Sequence, residues 1–159
     1  MFYSIVDSPV GQLLLAGEHE RLNRLSFLEG RKSPISIPND WTRNDSRFKH
    51  IVTQLQEYFR GVRKEFDIPL DIGTNKPDFS RRVWNQLRKI PYGETCSYRT
   101  IAERIGRPKA YRAVGQANHS NPIAIVIPCH RVIGSNGTLT GFGGGLNTKE
   151  FLLNLEQLD

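Results

Sequence analysis

The feature that most constrains the fold is a change in the pattern of apolar residues near residue 75. Before it, short apolar runs at residues 2–7, 12–16 and 22–28 are separated by turn-forming segments, which predicts an antiparallel β-meander. After it, apolar residues recur mainly at helical spacing. We therefore predict an α+β protein in which residues 1–75 form a domain with a small antiparallel sheet and residues 76–159 form a mainly helical domain.

One helix is expected to cover the sheet. Residues 29–45 contain Gly, Pro and polar residues and predict a loop. The apolar residues that follow recur at helical spacing and are Phe48, Ile51, Val52, Leu55, Tyr58 and Phe59. Gly61 should end this helix, residues 66–70 are a candidate strand, and residues 71–77 predict the link between the domains.

Composition and cysteine content exclude several classes of protein. Hydrophobic residues make up 38% of the 159 residues, which is enough for a packed core. The apolar runs at residues 13–16 and 123–127 are far shorter than the roughly 20 residues of a membrane span, and no secretory signal is visible. We therefore expect a cytoplasmic protein that does not enter a membrane. Cys96 and Cys129 form no Cys-x-x-Cys motif, so we expect neither disulfides nor a bound metal.

Positive charge is concentrated in the second half of the chain. Residues 1–75 carry 10 Lys/Arg and 10 Asp/Glu, whereas residues 76–159 carry 12 Lys/Arg and 6 Asp/Glu. An excess of positive charge in one domain favours binding to a polyanion such as nucleic acid. A domain that is merely soluble can carry the same charge, so a motif must decide between the two.

Two short helices in the second half form a candidate helix-turn-helix. Ser97 is a candidate N-cap of the first, whose apolar residues are Tyr98, Ile101, Ala102 and Ile105. The predicted apolar stripe of the second is Ala110, Ala113, Val114 and Ala117, and its other face carries Arg112, Gly115, Gln116 and His119. Small residues beside Arg112 would let the backbone approach a nucleic-acid groove. Helical hairpins that bind no nucleic acid show the same pattern, and this alternative stays open.

Helices are also predicted before and after this pair. Ser80 is a candidate N-cap of the earlier one, which carries Val83, Trp84 and Leu87. Asn147 and Glu150 have the spacing of a capping box at the start of the last helix. The expected buried face of that helix consists of Phe151, Leu152, Leu155 and Leu158. Glu156 lies on the same side and, if buried, needs a partner such as a histidine beside a nucleophile; a solvated glutamate is the alternative.

Cys129 is the candidate nucleophile. It follows an apolar run and Pro128 and precedes His130 and Arg131, and basic neighbours lower the pKa of a thiol. The alternative is a small buried apolar residue, as most free cysteines are. The nearby segment Gly141–Gly145 has neither a phosphate-loop nor a dinucleotide motif. We expect its bare backbone to contact a flat ligand, with the Phe142 ring available for stacking.

These motifs together resemble the O6-alkylguanine-DNA alkyltransferases, also called methylated-DNA–protein-cysteine methyltransferases. The resemblance rests on motifs in the family's order and spacing, namely Arg112–Gly115, Asn121–Pro122, Ile127–Val132, Gly144–Gly145 and Leu152–Leu153 with Glu156. It extends over essentially the whole chain, because the N-terminal meander and helix also fit.

The resemblance implies direct DNA repair in one irreversible, single-use step without a cofactor. Cys129 would take the alkyl group of O6-alkylguanine, and also of O4-alkylthymine, in double-stranded DNA. Glu156 would orient His130, which would help to remove the thiol proton through a water molecule. Asn121 would hold the loop segments of the site together, and Tyr98 would donate a proton or hydrogen bond to the guanine ring.

The resemblance also implies how DNA is bound. A monomer would place the second helix of the helix-turn-helix in the minor groove, and Arg112 would fill the space of the flipped-out base. The other DNA-binding residues would be Ala113, Gly115, Gln116 and Arg131. The residues that contact the base would be Val132, Phe142, Gly143 and Gly144; Phe142 stands where some relatives have Tyr.

Two other classes of protein remain as alternatives. One is an alkyltransferase-like protein that binds the lesion without removing it, but such proteins replace the reactive cysteine, and Cys129 is present. The other is a Cys-His hydrolase, which would turn over and would have no obvious use for the basic second half.

Overall fold

The computed structural model describes residues 1–31 and 34–157. The predicted meander is present: β1 (Phe2–Val6) pairs antiparallel with β2 (Leu13–Glu18), and β2 pairs antiparallel with β3 (Arg21–Phe27). The two-residue strand β4 (Thr42–Arg43) pairs in parallel with β1, so the sheet is mixed and has the order β3-β2-β1-β4. Because β4 is too short to show an alternating pattern, the sequence predicted a loop at this position.

The helix that covers the sheet is also present. A 3₁₀ turn at Asp45–Phe48 leads into α1 (Lys49–Phe59), and Gly61 follows the helix with a φ of +78°. Its buried residues follow the predicted spacing and are Ile51, Leu55 and Tyr58. The candidate strand at residues 66–70 does not form and contributes only a bridge to β3 through Leu70. Pro69 in this segment has no N–H for a strand ladder.

The second half is mainly helical, as predicted. It contains α2 (Asp78–Leu87), α3 (Tyr98–Arg104), α4 (Tyr111–His119) and α5 (Leu146–Gln157). Two short strands, β5 (Cys96–Ser97) and β6 (Val132–Ile133), pair in parallel beside a 3₁₀ turn at Cys129–Arg131. In the described part of the chain, no helix is long and apolar enough to cross a bilayer.

The predicted helix starts are correct at one of three positions. Ser97 caps α3, because its Oγ accepts a hydrogen bond from the backbone N–H of Thr100 at 3.1 Å. Ser80 lies inside α2 rather than at its N-cap, because the helix begins directly after Pro77, whose ring presets the backbone for a helix start. Asn147 likewise lies inside α5, so the predicted capping box is wrong.

The buried faces of α4 and α5 differ from those predicted. Ala113 is exposed, and the buried residues of α4 are Val114, Ala117 and Asn118. Phe151 is 39% exposed, and the buried residues of α5 are Lys149, Leu152 and Glu156. Leu158 lies outside the described residues. Asn118 of α4 and Lys149 of α5 are thus buried although neither was predicted to be, whereas a buried Glu156 is one of the two alternatives given by the sequence.

Contacts between the two halves fix the segment that leads to Cys129. Leu25 of β3 donates its N–H to Pro122 O and accepts from Ala124 N, each at 3.0 Å. Ile125 then adopts a φ of +71°, and Val126 N donates to Ala124 O at 2.8 Å. A positive φ is rare for a β-branched residue. The bend redirects the chain into the turn that begins at Cys129.

Candidate active site

Cys129 begins the 3₁₀ turn and is only 5% exposed. Asn121 holds the segment before it: its Nδ2 donates to Ile127 O at 2.8 Å and its Oδ1 accepts from Ile123 N at 3.0 Å. From α4, Asn118 donates through Nδ2 to Cys129 O at 3.3 Å. The nucleophile candidate therefore lies in a rigid segment that is connected directly to α4.

The Cys129 thiol is not poised as an anion in this structure. Burial raises its pKa, while a hydrogen bond from Asn121 and the charge of Lys149 act in the opposite direction. The expectation that the basic side chains of His130 and Arg131 lower the thiol pKa is wrong, because His130 lowers it only through a backbone hydrogen bond. Both side chains are buried and hydrogen-bond to Glu156. The groups that lower the thiol pKa are instead Asn121, Lys149 and the backbone at Cys129 and His130.

Glu156 is a buried carboxylate on which several hydrogen bonds converge. Its Oε2 is 2.6 Å from His130 Nε2 and accepts from Tyr58 OH at 2.6 Å and from Arg131 Nη2 at 3.0 Å. Its Oε1 accepts from Arg131 Nε at 2.7 Å. Burial raises its pKa, but the hydrogen bonds and charges of His130 and Arg131 outweigh this and lower it to about 2. Glu156 is therefore a carboxylate anion at neutral pH.

His130 is fully buried, and burial lowers its pKa, although Glu156 acts in the opposite direction. A neutral imidazole that donates from Nε2 to Glu156 carries no proton on Nδ1. Within residues 1–31 and 34–157, no hydrogen-bond partner is found for this Nδ1 atom. His130 Nδ1 is thus a hydrogen-bond acceptor without a described partner, and His130 directly follows Cys129 in the chain.

Arg131 does not face solvent, and its predicted role in DNA binding is wrong. Its side chain is buried, pairs with Glu156 through two nitrogens and donates to Ile90 O at 2.7 Å. A guanidinium held in this way satisfies a buried carboxylate, so it is unavailable to a phosphate.

Lys149 is a residue of the site that the sequence reasoning missed. Its side chain is fully buried, and its Nζ donates to Val132 O at 2.6 Å and lies 5.9 Å from the Tyr98 ring centroid and 6.0 Å from that of Phe142. Its charge favours the Cys129 thiolate. The signal was present in the sequence, because Lys149 is three residues before Leu152 and seven before Glu156, on the same helix face.

The exposed face of α4 carries the predicted DNA-contact residues Arg112, Ala113 and Gln116. Gly115 is half-buried, and a Cβ at this position would lie 3.8 Å from the Tyr98 ring. A cavity of about 520 Å³ lies along this face, lined by Tyr98, Tyr111, Arg112, Gly115, Gln116, His119, Thr140 and Gly141. Tyr98 and Thr140 are joined by a 2.6 Å hydrogen bond between their hydroxyls.

The residues predicted to contact the base are not among those that line this cavity. Val132 is fully buried, Phe142 and Gly143 are half-buried, and Gly144 is buried. A Cβ on Gly144 would lie 2.8 Å from the Phe27 ring, so close packing against β3 requires glycine there. Among the residues that the structure describes, no group of three or more His, Cys, Asp or Glu is arranged to hold a metal ion.

Known proteins resemble this chain along its whole length. Residues 78–158 match the family described as 6-O-methylguanine DNA methyltransferase, DNA binding domain, and residues 1–72 match 6-O-methylguanine DNA methyltransferase, ribonuclease-like domain. The methylated-DNA–protein-cysteine methyltransferase of Methanosarcina barkeri is 53% identical over 157 residues, which are 99% of this chain and 98% of the relative.

A mycobacterial protein and a solved structure agree with this match. The methylated-DNA–protein-cysteine methyltransferase of Mycolicibacterium paratuberculosis is 53% identical over 155 residues, which are 98% of this chain and 92% of the relative. The crystal structure of Mycobacterium tuberculosis OGT in complex with DNA matches with a TM-score of 0.91 and 50% identity, over 99% of this chain and 93% of that chain.

Proposed function

Because this chain belongs to the 6-O-methylguanine DNA methyltransferase family, we propose that it repairs DNA directly by transferring the alkyl group of O6-alkylguanine to Cys129. The observation that carries this proposal is the buried 2.6 Å contact between His130 Nε2 and Glu156, which leaves His130 Nδ1 without a described partner next to Cys129. The thiol is thus supplied with a base that is itself oriented by a carboxylate. O4-alkylthymine is a second substrate of the same reaction.

The thiol proton leaves through a water molecule to His130 Nδ1. The imidazolium that forms is stabilised by the Glu156 carboxylate, and the thiolate by the nearby Lys149 ammonium. Because burial raises the thiol pKa, the neutral thiol is the resting form, and the anion is needed only when the substrate is in place. Asn121 keeps the segment of Cys129 rigid through its bonds to Ile123 and Ile127.

Transfer occurs in one displacement. The thiolate sulfur forms a bond to the alkyl carbon while the bond between that carbon and guanine O6 breaks, and the electron pair stays on the base. Burial raises the pKa of Tyr98, so its hydroxyl remains protonated and can donate to the departing guanine ring. The product is S-alkylcysteine, which no group in this mechanism removes, so each molecule acts once. No cofactor enters this scheme.

Double-stranded DNA lies against the exposed face of α4. This assignment is supported by the positive charge of residues 76–159, by the exposed Arg112, Ala113 and Gln116, and by the cavity beside Tyr98. In this arrangement α3 and α4 act as a helix-turn-helix, α4 enters the minor groove, and Arg112 replaces the flipped-out base in the stack. The base then contacts the backbone near Val132 and Gly143 and the ring of Phe142.

Residues 1–75 form the N-terminal domain and residues 76–159 the domain that binds DNA and carries the nucleophile. The protein acts as a monomer in the cytoplasm. A monomer is supported by the hydrogen bonds of the site, because Tyr58, His130, Arg131 and Glu156 all belong to one chain.

Intact mass spectrometry tests the proposed function. The protein is mixed with excess duplex DNA containing O6-methylguanine, and we expect a mass gain of one methyl group, located by peptide mapping on Cys129. Unmodified duplex is the control and should leave the mass unchanged. Several methyl groups transferred per molecule, or a label on Cys96, would contradict the proposal, and release of product with turnover would favour a hydrolase.

A further inference from the structure

Tyr58 connects the N-terminal half to the group that orients His130. It lies on α1, is fully buried, and donates from its hydroxyl to Glu156 Oε2 at 2.6 Å across 98 residues of sequence. The same oxygen is 2.6 Å from His130 Nε2. Tyr58 and His130 therefore bind the same carboxylate oxygen.

The hydroxyl of Tyr58 can act only as a donor in this position. Burial, together with the charge of Glu156, raises its pKa, so it is protonated at neutral pH, where Glu156 is ionised. Aromatic contacts hold the ring in place, with centroid distances of 5.3 Å to Phe59, 5.4 Å to Phe66 and 6.2 Å to Tyr92. The donor is thus fixed on a rigid element and needs no reorganisation to meet the carboxylate.

The Glu156 carboxylate binds both Arg131 and His130, and each contact favours its own orientation of the carboxylate. Arg131 donates from Nε to Oε1 at 2.7 Å and from Nη2 to Oε2 at 3.0 Å. If Arg131 were the only partner, the carboxylate would move together with the guanidinium group. His130 contacts Oε2 through Nε2, so the position of this oxygen sets the orientation of the ring and of its unpartnered Nδ1. A second fixed donor on Oε2 sets that position independently of Arg131.

From this geometry we infer that Tyr58 is a positioning residue for alkyl transfer: its hydroxyl fixes Glu156 Oε2 and thereby the orientation of His130. The inference rests on the proposed function and deepens it, because it gives the N-terminal half a part in activating the nucleophile. Tyr58 touches neither the substrate nor Cys129 in this scheme and acts through Glu156 alone.

The test is a double-mutant cycle on the full chain. The rate constant of methyl transfer is measured in single turnover at saturating duplex DNA containing O6-methylguanine. Tyr58→Phe keeps the ring contacts and removes the hydroxyl, and we expect the rate constant to fall about tenfold, as for the loss of one hydrogen bond to a charged group. The DNA concentration for half-maximal rate should stay unchanged, because Tyr58 is buried away from the exposed face of α4.

The second arm separates positioning from packing. In a Glu156→Gln background, Tyr58→Phe should have no further effect, because the carboxylate that it positions is absent. If Glu156→Gln does not fold, His130→Asn supplies an equivalent background, since the residue to be oriented is then absent. An equal loss in wild-type and mutant backgrounds would assign Tyr58 to packing and would overturn the inference.

Tyr92→Phe is the matched control. The Tyr92 hydroxyl is 3.4 Å from the carbonyl oxygen of Leu155, the residue directly before Glu156. The Tyr92 ring lies beside that of Tyr58. We expect its rate constant to remain within twofold of wild type, roughly the effect of a weak hydrogen bond. A wild-type protein that transfers no methyl group would overturn the proposed function and this inference together. A wild-type protein that transfers while Tyr58→Phe reacts equally fast would overturn the Tyr58 inference alone.

Discussion

Acid should destabilise this protein through Glu156. Its pKa is lowered from an ordinary 4.5 to about 2 in the folded state. A carboxylate with a depressed folded-state pKa contributes stability that is fully present above its unfolded pKa and is lost as the pH falls through the folded one. This difference in pKa corresponds to about 3 kcal/mol of unfolding free energy, which should disappear between about pH 5 and pH 2.

Urea denaturation at a series of pH values measures this contribution. Between about pH 5 and pH 2, the free energy of unfolding of the wild type should fall by about 3 kcal/mol more than that of Glu156→Gln. This comparison does not depend on the difference in stability between the two proteins at neutral pH. Asp45→Asn is the control: the pKa of Asp45 is also lowered, by hydrogen bonds from Ser4 and Arg43, but this carboxylate is exposed. Its removal should change the acid dependence far less. Parallel curves for wild type and Glu156→Gln would refute the argument that buried hydrogen bonds hold the pKa of Glu156 down.

Four substitutions and a salt titration test the site and the DNA-binding face. Cys129→Ser should abolish methyl transfer but keep duplex binding, and Cys96→Ser should remain active; transfer by Cys129→Ser in the mass assay would rule out the assigned nucleophile. Arg112→Ala should slow repair of duplex DNA at saturation by about tenfold or more while the reaction with free O6-benzylguanine stays close to wild type, because a free base needs no flipping; equal slowing of both reactions would refute the flipping role. Lys149→Met should raise the pKa of Cys129, measured by the pH dependence of iodoacetamide alkylation, and an unchanged pKa would show that the ammonium does not act on the sulfur. The affinity for undamaged duplex should fall as salt rises, with a logarithmic slope near the number of phosphates contacted; a flat plot would contradict the DNA assignment.

The parts of the fold that the sequence could predict are those set by local patterns. The β-meander and α1 follow from the spacing of their apolar residues, and the cap at Ser97 follows from its position before a helical stripe. Strand β4 could not be predicted, because two residues contain no pattern and their pairing with β1 depends on tertiary structure. The same holds for the start of α5 after Gly145.

Some residues of the candidate site could likewise be predicted from the sequence, and others could not. The pairing of Glu156 with His130 was an expectation from the family resemblance and from the helix face of Glu156, and the structure has this contact. The prediction that Arg131 contacts DNA is wrong because the sequence does not show whether a charged side chain faces solvent or a buried carboxylate. The sequence does not indicate that Tyr58 belongs to the site, because its partner Glu156 lies 98 residues away in the chain. Lys149 lies on the same helix face as Leu152 and Glu156, but lysine is rarely buried, so this spacing alone does not place it in the site.

The position of α5 has a consequence for how the protein becomes reactive during synthesis. Residues are added from the N-terminus, so Tyr58, Cys129 and His130 leave the ribosome before Lys149 and Glu156. Closing the contact between α1 and α5 is a long-range event, which comes late because the chain entropy of a large loop must be overcome first. A nascent chain that ends before α5 carries the sulfur without the carboxylate and the ammonium that serve it. Under the proposed mechanism, activation of the Cys129 thiol therefore has to wait until α5 has packed against the rest of the chain.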